Sequence, residues 1–564
     1  MSFKPLTPTV SVAPQISEID VARAARQGYR AIIDNRPDGE DPAQPSAAEI
    51  AAAAARHGLA FTHVPVVTGA IGEADVEKMA NAIERADGPV LAYCRTGTRS
   101  ALLWGFTQRG KLPVDEILAA TSTAGYDLSA HRARFEAAPA AQAGGPIAPK
   151  VHDVVIVGGG SGGLAAAASL LKRRPGLSIA IVEPSDVHYY QPGWTLVGAG
   201  VFRPETTRRP MATVMPEGVE WVRQAATAFL PESDEVVLAD GGSLRYRVLV
   251  VAPGLKLDWA AVPGLTEALG RNGVTSNYRY DLAPYTHRLV QELTGGRALF
   301  TQPPMPIKCA GAPQKAMYLS CHGWRRRGVL EGFDVEFHNA GGVLFGVPAY
   351  VPALMEYVRR YGIDLQFESR LVAVDGDARA AVFERKGQDG AVETVELPFD
   401  MLHAVPPQTA PDFIRQSPLA GPAGWVDVDP GTLRHSRYPS IYSLGDVAST
   451  PNAKTAAAAR KQAPTVALNV LATLDGREPV AAYDGYGSCP LTVERGKIVL
   501  AEFGYGGKLL PSFPSWLLNG TRPSRAAWLL KDRLLPYVYW DCMLKGREWL
   551  CKPHVTDLSR GRAA

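Results

Sequence analysis

Val154-Val155-Ile156-Val157 is a wholly apolar tetrad that runs without a break into Gly158-Gly159-Gly160-Ser161-Gly162-Gly163 and then into the alanine-rich stretch Leu164 to Leu171. Such a run, stopped by turn residues, predicts a strand buried on both faces of a parallel sheet, and the alanines predict a helix behind it. The glycines between them serve a tight turn, a close approach of backbone to phosphate, and close packing of helix on strand. Gly158, Gly160, Ser161, Gly162 and Gly163 are therefore the expected cradle for a dinucleotide pyrophosphate. The next strand, Ser178 to Val182, ends on Glu183, twenty residues past Gly163, where a carboxylate can take ribose hydroxyls.

At 564 residues the chain exceeds a single core and implies three or four domains. A net charge of +3, with no basic stripe interleaved with aromatics, gives no case for nucleic acid. Six cysteines without a Cys-x-x-Cys pair argue against a disulfide scaffold and against a zinc cluster, so no metal is expected and a reducing, cytoplasmic setting is. No apolar export leader is evident at the N-terminus, and no uncharged stretch is long enough to span a bilayer. The expected boundaries are an α/β domain over residues 1–135, an Ala, Pro and Gly-rich linker over 136–150, an oxidoreductase unit over 151–500 and a C-terminal tail over 501–564.

In the first domain the apolar run Pro89 to Tyr93 delivers Cys94 into Cys94-Arg95-Thr96-Gly97-Thr98-Arg99-Ser100, which opens a helix at Ala101. Backbone N–H groups, a helix N-terminus and the Arg99 charge converge there on sulfur, conditions that favour a nucleophilic thiolate. Four residues separate Cys94 from Arg99. Phosphate-cradling cysteine phosphatases use a longer loop, and the shorter one suits a sulfur atom. The segment resembles the active-site loop of rhodanese-type sulfurtransferases, while the rest of residues 1–135 is similar to a phosphatase-like domain fused to sulfide-oxidising proteins. Both resemblances imply a cysteine-loop fold with Cys94 and Arg99 at its site, and they leave sulfurtransferase and phosphatase open. The plain alternative is an inert cysteine behind a strand.

Two segments further on resemble two-dinucleotide flavoproteins. Val248 to Gly254 resembles the strand ending in Ala-Thr-Gly, with Pro253 in place of threonine, and Leu444-Gly445-Asp446 resembles the closing Gly-Asp whose carboxylate holds the ribityl chain. The resemblance implies FAD, with Gly254 and Asp446 among its contacts and a helix beginning at Thr455 to Ala459 facing the flavin. Where a nicotinamide-using relative would repeat the glycine loop, the strand Ala298-Leu299-Phe300 leads into Gln302-Pro303-Pro304-Met305-Pro306-Ile307-Lys308-Cys309. NAD is therefore not expected, and Cys309 becomes the candidate electron donor to flavin.

From Val151 to about 555 the chain resembles the sulfide:quinone oxidoreductases, in the branch that includes the mitochondrial enzyme. The resemblance rests on Glu183-Pro184-Ser185 with Tyr189-Tyr190-Gln191-Pro192-Gly193, on Lys308 to Lys315, on Gly424 to Val428, on Lys454 to Ala458 and on Tyr483 to Pro490. It implies oxidation of sulfide or a persulfide with electrons passed through FAD to quinone. In that branch a second cysteine directly follows the Gly-Asp and pairs with the first in a disulfide that sulfide opens; here the position is Val447. The expectation is that Cys309 acts alone, or with Cys321 as a stand-in, and that sulfane sulfur passes between Cys309 and Cys94.

Trp516, Trp528, Trp540 and Trp549 fall in the last fifty residues among paired leucines and the cations Arg525, Lys531, Arg533, Lys545 and Arg547, with a surplus of five positive charges. Rings, bases and insufficient length to span predict an amphipathic helical tail lying in the headgroup layer on the inner face of the cell membrane, within reach of quinone. A tail packed on the flavoprotein core or on a partner in a homo-oligomer is the alternative. The rival functions are an NADH-type flavin dehydrogenase, an N-terminal phosphatase, and a non-enzymatic sulfur sensor.

Overall fold

The computed structural model describes residues 3–41, 44–66, 71–136, 150–387 and 389–555, so most of the expected linker lies outside the described residues. Two compact units divide the chain, one of residues 1–150 with 236–244 and one of the remainder.

The first unit is built on a five-stranded sheet in the order Lys4–Pro5, Val10–Ala13, Val90–Tyr93, Ala31–Asp34, Ala60–His63, parallel except for the first pair. Both faces are covered, as the period of two requires. Val12, Ile33, Val90 and Ala92 pack toward Leu103, Trp104 and Ile117, while Ala13, Ile32, Leu91 and Tyr93 pack toward Val21, Ala24, Ile50 and Ala53. The helix Ala47–Arg56 is started by Ser46 and Glu49, whose side chains each take the other's backbone N–H.

The second unit carries two parallel sheets. One is seven-stranded: Val219–Val222, Ile179–Val182, Val151–Val157, Ser243–Val251 and Ile441–Ser443 pair in parallel, and Glu235–Leu238 and Ala226–Leu230 extend it beyond Ser243–Val251. The other runs Val274–Thr275, Met401–His403, Gly296–Gln302, Phe333–Asn339, Asp364–Phe367. The helices Ser161–Arg173 and Ala456–Leu474 pack on the first sheet through Leu164, Leu170, Val466 and Val470. The helix Ala312–Arg327 packs between the second sheet and the antiparallel hairpin Gly487–Glu494 with Lys497–Phe503, through Ala316, Met317 and Cys321 against Cys489, Leu491 and Val499.

The C-terminal segment is less of a tail than its composition suggests. Residues 501–503 close that hairpin, and a helical run from Arg525–Leu529 to Met543–Lys545, widened by two π turns, follows. Tyr539, Trp540, Met543 and Leu544 are buried in the core of the first sheet. Tyr539 Oη stands 2.7 Å from His188 Nε2, and Glu548 accepts hydrogen bonds from Ser169 and Arg173. The aromatics that pattern reading assigns to a lipid surface are thus divided. Trp540 is packed inside, whereas Trp516 is 84% and Leu517 58% exposed. No helix among the described residues is long and apolar enough to cross a membrane.

Candidate functional site

The glycine loop has the geometry its spacing calls for. Gly158 sits at φ +106°, and a Cβ there would lie 2.4 Å from the Ala252 carbonyl oxygen; a Cβ on Gly163 would lie 1.9 Å from the Gly158 oxygen. No other residue permits this strand, turn and helix to close so tightly. Gly160, Gly254 and Gly445, by contrast, would direct a Cβ into space free of protein atoms. All three line a cavity of about 440 Å³ at the carboxyl ends of the first sheet, together with Ser161, Gly162, Glu183 and Asp446. The Glu183 carboxylate is aimed by two backbone donors, Gly159 N–H and Ser185 N–H, both at 2.8 Å.

Asp446 follows Gly445 in a short turn after the strand Ile441–Ser443. Burial pushes its carboxyl up from the ordinary range against the pull of Lys454 and Lys308. Lys454 Nζ donates to the carbonyls of Asp446 and Ala448, and burial pushes that ammonium down to about 8. Thr455 caps the helix Ala456–Leu474, accepting from Ala458 N–H, so its N-terminus opens on the cavity. Three glycines facing empty space, a helix N-terminus and a positioned carboxylate fit FAD.

Cys309 stands on the cavity wall in a left-handed conformation, φ +48°, at the entrance to the helix Ala312–Arg327. A non-glycine residue is uncommon there, and tertiary contacts hold it: its N–H donates to the Lys454 carbonyl at 2.7 Å and its carbonyl accepts from Ala312. Its Sγ lies 3.1 Å from the buried Lys315 ammonium and 3.6 Å from Cys489 Sγ. The hydrogen bond from the Cys489 thiol, against the cost of burial and with help from Lys315, holds Cys309 well below the usual thiol range; Cys489 is held correspondingly high. Lys531 enters from the C-terminal helical run. Burial and the Lys315 charge push it down to about 7, while the two sulfurs oppose that shift.

Cys321 and Val447 are fully buried. Cys321 belongs to the core of the second sheet, and burial pushes its thiol up. The sequence alone singles out neither Cys489 nor Lys531. Cys489 falls in the stretch Tyr483 to Pro490 that carries the resemblance and Lys531 among the tail cations, and neither signal says what the side chain faces.

In the first unit Cys94 follows the strand Val90–Tyr93 and is buried. Gly97, at φ +93° and the N-cap of Thr98–Thr107, donates its N–H to Cys94 Sγ at 3.1 Å. A Cβ on Gly97 would lie 2.0 Å from Tyr126 Oη. Arg99 makes a two-pronged pair with Glu40, at 2.6 and 2.7 Å, and also donates to the Val66 carbonyl. Arg99 holds the Glu40 carboxyl down at about 2. Glu40, in a turn 59 residues before Arg99, carries no sequence signal of this role. Among the described residues no group of His, Cys, Asp and Glu forms a metal site.

Residues 2–111 match the family described as beta-lactamase hydrolase-like protein, phosphatase-like domain, and residues 152–292 match the pyridine nucleotide-disulphide oxidoreductases. A beta-lactamase hydrolase-like protein of Xylella fastidiosa is 37% identical over 130 residues, 23% of this chain and 30% of that protein. The solved sulfide:quinone oxidoreductase of Aquifex aeolicus shares the fold with a TM-score of 0.58 at 20% identity, over 70% of this chain and 92% of that one. The mitochondrial sulfide:quinone oxidoreductase of Mus musculus is 37% identical over 398 residues, 70% of this chain and 87% of that protein. With an identity of this size running across nearly the whole of that enzyme, the chain belongs to the sulfide:quinone oxidoreductase family.

Proposed function

We propose that the chain oxidises sulfide or a related persulfide, passes the electrons through FAD to a quinone, and handles sulfane sulfur on Cys94 of its N-terminal unit. The observation that carries this reading is Cys309, a sulfur on the wall of a dinucleotide-shaped cavity with an ammonium 3.1 Å away. FAD supplies the two-electron acceptor between sulfur and quinone. Gly158, Gly160, Ser161, Gly162 and Gly163 hold its pyrophosphate, Glu183 its ribose hydroxyls, and Gly254 and Asp446 the remainder of the chain leading to the ring. Cys309 is the catalytic thiolate, kept ionised by Lys315 and by the Cys489 thiol.

For the N-terminal unit the Glu40 pair favours sulfur over phosphate. Both prongs of the Arg99 fork are occupied by a carboxylate, so a phosphate dianion would have to displace a charge-assisted pair to reach it. A neutral or singly charged sulfane group needs no such displacement. Cys94 carries the sulfur and Arg99 positions the loop around it.

The C-terminal segment brings the protein to the inner face of the cell membrane. Trp516, Leu517, Leu529 and Tyr537 are exposed, and the Arg533 side chain is 83% exposed on the same segment. Rings and bases together suit a headgroup layer, and a bilayer is where a quinone is found.

Anaerobic addition of sulfide to the holoprotein is expected to bleach the flavin and raise a long-wavelength thiolate–flavin absorbance band. Cys309→Ala should lose both. Bleaching by NADH faster than by sulfide would overturn the reading.

A further inference from the structure

The residue directly after Gly445-Asp446, where the family resemblance implies a second cysteine, is Val447, buried and without a sulfur. The structure brings a different sulfur to Cys309. Cys489 lies 180 residues away in sequence, on the strand Gly487–Glu494, and its Sγ is 3.6 Å from Cys309 Sγ. A disulfide needs about 2.05 Å. At 3.6 Å the two sulfurs are already in contact, about 1.5 Å beyond that bond length.

Three features mark the pair as built. Gly311 is the point where the chain passes Cys489: a Cβ there would lie 2.5 Å from Cys489 Sγ, so glycine makes the room this sulfur occupies. Lys315, only 2% exposed, directs its ammonium to Cys309, and it has no carboxylate partner among the described residues. Cys309 is held in its left-handed conformation by the Lys454 and Ala312 backbone bonds. Ser488 and Pro490, on either side of Cys489, both line the cavity. Cys321, Cys542 and Cys551 are buried in the same unit, and none is paired with another sulfur among the described residues.

We propose that Cys489 is the resolving partner of Cys309: the two close a disulfide at the cavity wall, and Cys489 bears the sulfane sulfur once sulfide has opened it. This rests on the sulfide-oxidising reading above. Hydrosulfide attacks Cys489 Sγ, the S–S bond breaks, and Cys309 leaves as a thiolate beside Lys315, giving Cys489–S–SH. A thiolate of an acceptor then takes the outer sulfur, forming its own persulfide and leaving Cys489 as a thiol. The reduced pair is then one thiolate and one thiol, and re-forming the disulfide would release one proton and two electrons, the electrons going to FAD when it is bound. Over the cycle one sulfide and one acceptor thiol become one persulfide, and the electron pair passes on to quinone. The direction of attack follows from the leaving group, since the sulfur beside the ammonium departs more easily.

The test is a peptide map of oxidised holoprotein, quenched in acid and alkylated without reductant, before and after anaerobic addition of sulfide. Before sulfide, the Cys309 and Cys489 peptides should be joined, and dithiothreitol should separate them. After one equivalent of sulfide the joint should be lost and the Cys489 peptide should carry one extra sulfur. Cys321→Ala should keep the joint. Cys489→Ser should lose sulfide-driven bleaching while dithionite still bleaches its flavin, which shows that the variant folds and holds the cofactor. Free, separately alkylated Cys309 and Cys489 in an oxidised protein that sulfide bleaches would overturn the pair and leave the sulfide reading standing. The extra sulfur on Cys309 with Cys489 unmodified would also overturn it. Joined peptides in a protein that sulfide does not bleach would support the disulfide and overturn its substrate.

Discussion

Replacing Lys315 by methionine keeps the length and bulk of the side chain and removes its charge, so it isolates what the ammonium does for Cys309. Nζ is 3.1 Å from Sγ. Coulomb's law at that distance gives about 5 kcal/mol of attraction at an effective dielectric constant of roughly 20. Part of it is offset by the cost of holding an ammonium away from water, which for a side chain only 2% exposed is substantial. A net loss on the order of 2–3 kcal/mol corresponds to roughly a hundredfold smaller thiolate population at a given pH. The assay is the rate at which iodoacetamide alkylates Cys309 in reduced holoprotein, read by mass spectrometry across pH. In the native protein the rate should be level through neutrality, because the Cys489 hydrogen bond and Lys315 outweigh burial. In Lys315→Met the profile should move to the alkaline side, and Lys315→Arg should restore most of it. Superimposable profiles for the native protein and Lys315→Met would refute the reasoning.

Gly160→Ala, whose added methyl points into free space, should fold normally yet purify with little flavin, whereas Gly163→Ala, with a Cβ 1.9 Å from the Gly158 oxygen, should lower the melting temperature of the second unit as well; absorbance and circular dichroism melts separate the two. Glu40 is held at about 2 against an ordinary 4.5, so its contribution to stability is complete above 4.5 and is lost as pH falls through 2. Glu40→Gln should therefore remove part of the acid-side steepness in the unfolding of the first unit, measured by acid titration of its circular dichroism. Lys531 runs in the opposite sense: between about 7 and 10.5 the unfolded chain keeps a proton that the folded one releases, so stability rises with pH in that window, and Lys531→Met should flatten the rise.

Local patterns were enough where neighbours in sequence are neighbours in space. The strand, glycine loop and helix at Val154 to Leu171, the acid at Glu183, the capped helix at Ser46 and the Cys94 loop all form from residues within a few turns of one another, and each carries its geometry in its residue types. Gly158 and Gly163 were legible for the same reason, since only glycine tolerates the contacts their turn imposes. Tail composition was less informative. Rings and bases look alike whether they meet lipid or the protein's own core, and Tyr539 and Trp540 turned inward because His188 and Tyr190 offer them a hydrogen bond and tilted ring contacts.

What the chain alone determined is the α/β architecture, the dinucleotide cradle and the placing of two cysteines between a strand and the helix that follows it, because hydrophobic period and glycine spacing act over short range. Only the tertiary structure decided what those cysteines face. Reading Val447 in sequence left Cys309 acting alone or with Cys321 as a stand-in, yet folding buries Cys321 in the core, carries Cys489 across 180 residues to within 3.6 Å of Cys309 and sets Glu40 on the fork of Arg99. Such contacts depend on how sheets and helices stack, a long-range outcome that residue order does not display.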